Sequence, residues 1–249
     1  MRQGIVMAVR KQTTLDLSKQ RLLIIAPHPD DEVIGCGGLM VRVKEEGGKV
    51  YVLIMTVGDT NDFSKTGYSS QKERMKEIDD VANYFRLDGC HVALGGNSNH
   101  LRLDQQAQLD LISIIERGTP VSIETVKPTM ILFPQLTSYN QDHRAATRAA
   151  FAACRPASRR YKSLPKLILS YEEAADQWSL EHLPPVNFFV GISARHLHKK
   201  ISGLRLYQSQ WRARANPRSA KALAGLAALR GAQTGVNLAE AFFCQRFLA

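Results

Sequence analysis

Short apolar runs alternate along the chain with segments whose apolar residues recur at helical spacing. The runs have the length of buried strands and comprise residues 22–25, 49–57, 91–95, 130–134, 166–171 and 187–192. The helical segments are predicted at residues 33–46, 71–85, 109–115, 145–154, 194–211 and 220–231. Because strand–helix–strand alternation builds right-handed βαβ units, the pattern predicts an α/β domain with a mostly parallel sheet.

The polar stretch Ala26-Pro27-His28-Pro29-Asp30-Asp31-Glu32 directly follows the first predicted strand. Open α/β sheets bind their ligands at the C-terminal ends of the strands, so one histidine and three carboxylates fall where a site is expected. The acids alone would also suit a helix start, with Asp30 as the N-cap. That alternative explains neither His28 nor the two prolines that stiffen the turn.

A second polar stretch, Ser138-Tyr139-Asn140-Gln141-Asp142-His143-Arg144, follows the strand predicted at residues 130–134. Two strand ends that each carry His and Asp can supply two imidazoles and one carboxylate to a single cation. Zinc commonly takes this donor set and keeps a fourth position for water. Asp30 and Asp31 are adjacent and should point different ways, so one can bind the metal while the other acts as a base. The alternative for His143 is a surface residue at a helix start.

These motifs resemble the PIG-L/LmbE family of zinc-dependent N-acetylglucosaminyl deacetylases. The strongest similarity is the Pro-His-Pro-Asp-Asp-Glu motif with its glycines at 35, 37 and 38. Arg74 with Glu77, residues 140–143 and residues 239–242 are similar to further motifs of that family. Glu172 with Trp178, residues 207–210 and residues 217–219 look like a bacterial polysaccharide and glycoconjugate branch.

The resemblance implies a Rossmann-like three-layer fold with the metal site at the C-terminal ends of the strands. It covers most of the chain, so we expect a single domain over residues 1–249, with residues 1–20 as a flexible N-terminal arm. Residues 5–9 within that arm would suit a short leading strand.

The resemblance also implies roles for individual residues. His28, Asp31 and His143 would bind Zn²⁺, and Asp30 would be the general base. Asn140 stands where the family often has a histidine that polarises the substrate; an amide can donate a hydrogen bond but cannot carry charge.

Other polar residues are expected to support or surround this site. Asp142 would orient His143 from behind the metal ligands. Arg74, Asp59 and Arg144 are expected to contact the substrate, although a surface ion pair with Glu77 is the alternative for Arg74. His100 is expected to face solvent, and the alternative is that it reaches the site.

The net charge of +10 at pH 7 comes from basic segments in the second half of the chain. Residues 144–168 hold seven Arg or Lys and no acid, and residues 195–249 hold ten with one acid. These segments would either bind an anionic part of the substrate or form a solvated basic face.

The four cysteines form no C-x-x-C pair, which favours a reducing compartment and a cytoplasmic location. No apolar run approaches the ~18 residues of a membrane span, and residues 1–20 contain no secretory signal.

The expected function is removal of the acetyl group from an N-acetylglucosamine-type conjugate made anionic by a nucleotide or lipid link. The partner is then a small amino-sugar conjugate, with no nucleic acid. A lipid-linked substrate would bring the protein to a membrane surface, and the sequence allows an oligomer.

Two alternatives come from other classes. A basic nucleic-acid-binding module agrees with the charge but lacks interleaved aromatics and a DNA-binding signature. A Mg²⁺-dependent phosphohydrolase would need mostly oxygen ligands.

Overall fold

The computed structural model describes residues 15–61, 67–158, 160–182, 184–213 and 215–249. The strand considered for residues 5–9 lies outside this part of the chain. Within it, the strands are β1 (Arg21–Ala26), β2 (Lys49–Val57), β3 (Thr60–Asn61), β4 (Tyr68–Ser69), β5 (Gly89–Gly95), β6 (Met130–Pro134), β7 (Leu167–Tyr171), β8 (Phe188–Gly191) and β9 (Ala239–Phe247).

Seven of these strands form one sheet in the order β5-β2-β1-β6-β7-β9-β8. The first five strands of that order are mutually parallel, and β9 runs antiparallel to both β7 and β8. β3 and β4 form a separate two-stranded hairpin. The mostly parallel sheet confirms the predicted fold class.

Helices cover both faces of the sheet, which explains why its central strands are apolar throughout rather than alternating. The helices are α1 (Asp31–Glu46), α2 (Gln71–Phe85), α3 (Gln108–Glu116), α4 (Ile123–Val126), α5 (Gln141–Ala153), α6 (Ala194–Leu204) and α7 (Ala220–Ala232). In β1, Leu22 and Ile24 join the core beneath α1, α2 and α6. Leu23 and Ile25 join the opposite core beneath α3, α4 and α5. Among the described helices, none combines the length and apolar character needed to cross a membrane.

The glycines of α1 allow this helix to approach its neighbours closely. A Cβ atom at Gly35 would overlap the ring of Tyr171 in β7. At Gly38 it would lie 3.0 Å from the carboxyl group of Glu240 in β9. Glu240 accepts hydrogen bonds from the backbone N–H groups of Gly38 and Leu39 at 2.8 and 2.7 Å. The close approach fixes the helix that begins at the first polar stretch.

Several elements differ from the sequence prediction, which contained neither the hairpin of β3 and β4 nor the short helix α4. β9 was not predicted, because the antiparallel partner of β7 comes from the far end of the chain. α5 begins at Gln141 rather than at residue 145, because the side chain of Asn140 caps it. α6 ends at Leu204 rather than near residue 211. The chain turns there, and the Tyr207 hydroxyl donates to Glu32 at 2.7 Å.

Candidate metal centre and substrate cavity

Asp31 joins the two polar strand ends into one cluster. β1 and β6 are neighbours in the sheet, so the loop after β1 and the start of α5 meet at the same edge. Oδ2 of Asp31 lies 3.4 Å from Nδ1 of His28 and 3.3 Å from Nε2 of His143. All three side chains are buried, and their candidate ligand atoms lie within 4.8 Å of one another. The structure thus brings the predicted metal triad together.

The charges of this cluster fit a metal ion. Burial by itself raises the pKa of the Asp31 carboxyl, but His143 and His28 outweigh it and hold the pKa well below its ordinary value. Burial alone lowers the pKa of His28, yet hydrogen bonds to Asp142 and Asp31 raise it to about 9. The carboxylates therefore favour a positive charge at the imidazoles. Two imidazole nitrogens and a carboxylate oxygen are a donor set that zinc takes in proteins.

Asp142 supports His28 rather than His143, which corrects the expectation from the sequence. Its Oδ2 lies 3.0 Å from Nε2 of His28, and its Oδ1 accepts the backbone N–H of Leu103 at 2.9 Å. This contact turns Nδ1 of His28 toward Asp31. A carboxylate behind a ligating histidine fixes the ring and its tautomer. Asp142 was assigned to His143 because the two are adjacent in sequence, but α5 directs their side chains apart.

Asp176 takes the position behind His143 that was expected for Asp142. Its Oδ2 lies 3.9 Å from Nδ1 of His143, and its Oδ1 accepts the Ser138 hydroxyl at 2.5 Å. Glu173, also buried and also just beyond β7, lines the same cavity. Nδ1 of His143, Oδ2 of Asp176 and Oε1 of Glu173 make no hydrogen bond within the described chain. Neither acid was predicted for the site, although both follow a strand at the same sheet edge as the two motifs.

Asp30 occupies the N-cap position of α1, but its side chain makes no capping hydrogen bond. The helix-start alternative therefore does not account for this carboxylate. Its backbone has a φ of 108°, a left-handed conformation that costs energy in a non-glycine residue. The backbone N–H donates to Oε2 of Glu32 at 3.2 Å, and the Tyr207 hydroxyl holds the other oxygen of Glu32. Glu32 and Tyr207 thus stabilise the conformation that turns Asp30 into the cavity.

The environment of Asp30 combines burial with opposing charges. Burial raises the pKa of this carboxyl to about 6, Arg218 opposes the rise and Asp31 adds to it. Nε of Arg218 lies 3.2 Å from Oδ2 of Asp30. A carboxyl group with a pKa near neutrality can both accept and return a proton, as a general acid–base catalyst requires.

Arg74 reaches the cavity, as expected, and it does so together with His100. One guanidinium nitrogen of Arg74 donates to Thr60 Oγ1 at 2.8 Å and lies 2.9 Å from Nε2 of His100. His100 was expected to face solvent, but it is buried, with its ring 5.7 Å from that of His28. Burial and the neighbouring Arg74 lower the pKa of His100 to about 3, so this imidazole is neutral. Glu77 instead accepts hydrogen bonds from Ser209.

Asn140 lies at the cavity wall with its amide nitrogen available to a ligand. Its Oδ1 accepts the backbone N–H of Asp142 at 2.9 Å and so caps α5. Because the side-chain oxygen accepts this bond, the side-chain NH₂ group is the part of Asn140 that can donate a hydrogen bond to a ligand.

Asp59 and Arg144 are not among the residues that line the cavity, unlike Thr60 and Asn140 nearby. Asp59 accepts hydrogen bonds from the backbone of Gln71 and the side chain of Asn97. Arg144 donates to the backbone carbonyls of Ser138 and Tyr139 at 3.0 and 3.3 Å. Each residue therefore stabilises a loop, and other residues of that loop line the cavity. A direct substrate contact by either one stays a prediction without support from its position.

The cavity around these groups has a volume of about 330 Å³. Acids and histidines that follow four strands, β1, β5, β6 and β7, form one part of its lining. Arg74, Arg212 and Arg218 form a basic part. The two C-terminal arginines were not assigned to the site from the sequence, because only the folded chain brings Gln210, Arg212 and residues 216–218 to the cavity beside the end of β1.

Fold and site together define a metal-dependent N-deacetylase, and comparisons with known proteins agree. A family described as PIG-L, GlcNAc-PI de-N-acetylase, matches residues 23–154. The chain therefore belongs to the PIG-L/LmbE-like deacetylase family, which confirms the resemblance seen in its motifs.

Individual relatives are distant but cover much of the chain. The uncharacterized deacetylase YaiS of Escherichia coli K12 is 26% identical over 195 residues, which are 77% of this chain and 92% of YaiS. The diacetylchitobiose deacetylase of Thermococcus kodakarensis is 25% identical over 202 residues, 77% of this chain and 70% of that protein. The crystal structure of the conserved protein TT1542 from Thermus thermophilus superimposes on this chain with a TM-score of 0.69 at 26% identity. The match covers 92% of this chain and 96% of the TT1542 chain.

Proposed function

We propose that this protein uses zinc to remove the N-acetyl group from an N-acetylglucosamine-type sugar conjugate. The observation that carries the proposal is the position of Asp31 Oδ2, 3.4 and 3.3 Å from one nitrogen each of His28 and His143. A zinc ion bound by these three residues would lower the pKa of a water to about 7 and polarise the amide carbonyl. Two imidazoles in the donor set favour zinc over the Mg²⁺ of a phosphohydrolase.

The remaining polar groups of the cavity supply the proton and hydrogen-bond steps. Asp30 accepts the proton of the attacking water and returns it to the amine that leaves. The NH₂ group of Asn140 donates to the carbonyl oxygen as negative charge develops there. Asp142 holds the imidazole of His28 in place during these steps, and the carboxylate of Asp176 faces Nδ1 of His143. Each of these roles follows from the side chain's contacts and from the chemistry of amide hydrolysis.

The substrate is proposed to carry a negative charge beyond its amino sugar. Arg74, Arg212 and Arg218 line the cavity, and a guanidinium group matches phosphate oxygens in a bidentate way. Many other basic residues have acidic partners within the protein: Arg155 and Lys162 contact Glu116, Lys200 contacts Glu240, and Arg230 contacts Glu172. The excess charge is thus partly structural, which weakens the nucleic-acid alternative. Arg218 also contacts Asp30, so the proposed anion would meet a guanidinium that is shared with this carboxylate.

The direct test measures amine release from a panel of N-acetylglucosamine derivatives by the purified zinc-loaded protein. The panel contains the free sugar, a neutral disaccharide and a phosphate-bearing conjugate, each at low and high salt. We expect amine release, with a preference for the phosphate conjugate that shrinks as salt screens the arginines. Release from no member of the panel would contradict the deacetylase function. Equal use of the neutral and phosphate-bearing compounds at both salt concentrations would contradict the anionic substrate only.

A further inference from the structure

Two aromatic side chains lie exposed side by side where the cavity opens. Tyr139 is 50% exposed and Trp178 is 78% exposed, and their ring centroids are 5.8 Å apart at an interplanar angle of 54°. Tyr139 also lines the cavity that contains the metal triad. Single exposed apolar residues are ordinary, but an aromatic pair continuous with a polar cavity is a surface that a ligand can cover.

Hydrogen bonds beneath the pair fix the loops that carry it. Arg144 donates to the carbonyl of Tyr139, and the Ser179 hydroxyl donates to the carbonyl of Thr137 at 2.6 Å. The backbone N–H of Trp178 donates to Ala175 at 3.1 Å. Two hydrogen bonds join the loop after β6 to the loop after β7, one from Ser179 to Thr137 and one from Ser138 to Asp176. A surface built this way loses little conformational freedom when a ligand binds.

The size of the cavity indicates that part of the substrate lies outside it. Its volume of about 330 Å³ is at the lower end of the range for ligand pockets, about 300–1,000 Å³. Once the acetamido sugar occupies the metal end, whatever is attached to that sugar must pass the rim. The half-exposed ring of Tyr139 forms part of that rim, and Trp178 extends it outward.

We propose that Tyr139 and Trp178 form a stacking subsite for a second pyranose ring, joined to the N-acetylglucosamine whose acetyl group is removed. This inference rests on the proposed deacetylase function and adds a neutral sugar ring to the substrate. One face of a pyranose presents C–H groups of slight positive charge, and an aromatic ring presents a negative face. Indole and phenol groups also keep a polar atom in contact with water while the ring covers the sugar.

The test compares N-acetylglucosamine with N,N′-diacetylchitobiose in the wild-type protein and in Trp178→Ala, Trp178→Phe and Tyr161→Ala. Tyr161 is the matched control, because it is also 78% exposed and is not among the cavity-lining residues. Trp178→Ala should lower kcat/KM for the disaccharide about tenfold, the upper range of an aromatic contact, mainly through KM. It should change kcat/KM for the monosaccharide by less than about twofold, and Trp178→Phe should recover part of the loss.

A binding measurement separates this subsite from the proposed chemistry. In metal-stripped protein, which should not turn over, the disaccharide should change the tryptophan fluorescence of the wild type and leave that of Trp178→Phe unchanged. This result would support the subsite even if no acetyl group were released.

Three results would overturn the proposal. The first two are an equal loss of kcat/KM for both sugars in Trp178→Ala and no loss for the disaccharide. The third comes from adding an alkyl N-acetylglucosaminide to the comparison, and it is a loss for that compound alone. The last result would assign the aromatic pair to a lipid chain instead of a sugar ring.

Discussion

The guanidinium Nε of Arg218 lies 3.2 Å from Oδ2 of Asp30, although the two residues come from opposite ends of the chain. A second contact, 2.8 Å from Arg218 to the side-chain oxygen of Gln210, holds the guanidinium in place. The proposed general base therefore has a fixed positive neighbour, and its orientation depends on the C-terminal segment.

Replacing Arg218 tests that dependence. Arg218→Ala should lower kcat/KM by up to about 10²-fold, because a displaced catalytic group loses that much, while bound zinc stays the same. Arg218→Lys should recover part of the activity, since it restores the charge without the fork of the guanidinium. The control is Arg148→Ala on the exposed side of α5. Wild-type kinetics in Arg218→Ala would rule out a positioning role.

Variants of the two adjacent aspartates should differ in the amount of zinc they bind. Asp30→Asn should retain zinc and lose at least ~10²-fold in rate, the lower range for removal of a general base. Asp31→Asn should lose zinc, because it removes the carboxylate that lies between the two imidazoles. Metal analysis of both purified variants checks this assignment, and loss of zinc from Asp30→Asn alone would exchange the two roles.

Asp142 should contribute to zinc affinity without touching the ion. Its two oxygens accept from His28 and from the backbone of Leu103, and the amide of Asp142→Asn can replace only one of these acceptors. We expect zinc affinity to fall about 10–100-fold, as for other carboxylates behind ligating histidines. Competition with a chelator measures the change, with Asp110→Asn on the exposed side of α3 as the control. An unchanged zinc affinity would show that the Asp142–His28 contact does not matter for the metal.

The buried ion pair between Lys200 and Glu240 should matter for stability rather than for catalysis. The Nζ and Oε1 atoms are 2.6 Å apart, and the two side chains are only 7% and 5% exposed. Lys200→Ala leaves a buried carboxylate that keeps only its hydrogen bonds from the backbone of Gly38 and Leu39. It should lower the free energy of unfolding by about 3 kcal/mol, the lower end for a broken buried ion pair.

The matched control for this pair is Lys76→Ala. It breaks an exposed pair with Asp80 on α2 and should cost at most about 0.5 kcal/mol. Denaturant unfolding compares the two variants, and similar losses in both would contradict the importance of burial.

The sequence predicted the parts of the site that lie next to strong local patterns. His28, Asp31 and His143 each follow an apolar strand, and parallel strands end at one edge of a sheet. Their position at one edge of the sheet therefore follows from the alternation of strands and helices, while their contact also requires that β1 and β6 are neighbours. The mostly parallel sheet follows from the same pattern.

The parts that were missed depend on contacts between distant segments. Asp176 and Arg218 lie in loops of little periodicity, and only the paths of β7 and the C-terminal segment bring them to the cavity. β9 gives no alternating pattern because its first residues are buried on both faces, while its last residues are partly exposed. His100 was expected to face solvent because the sequence around it does not indicate that its loop packs against Arg74.

Metal removal and reconstitution test the central claim, that one zinc ion held by His28, Asp31 and His143 carries the activity. The measurement is amine release from N,N′-diacetylchitobiose as zinc is titrated into chelator-treated protein, alongside the same titration of His143→Ala. We expect activity to vanish on chelation and to return in proportion to zinc up to one ion per chain, with no recovery and little bound zinc in the variant. Full activity in the metal-free protein, or one equivalent of zinc and normal turnover in His143→Ala, would contradict the account.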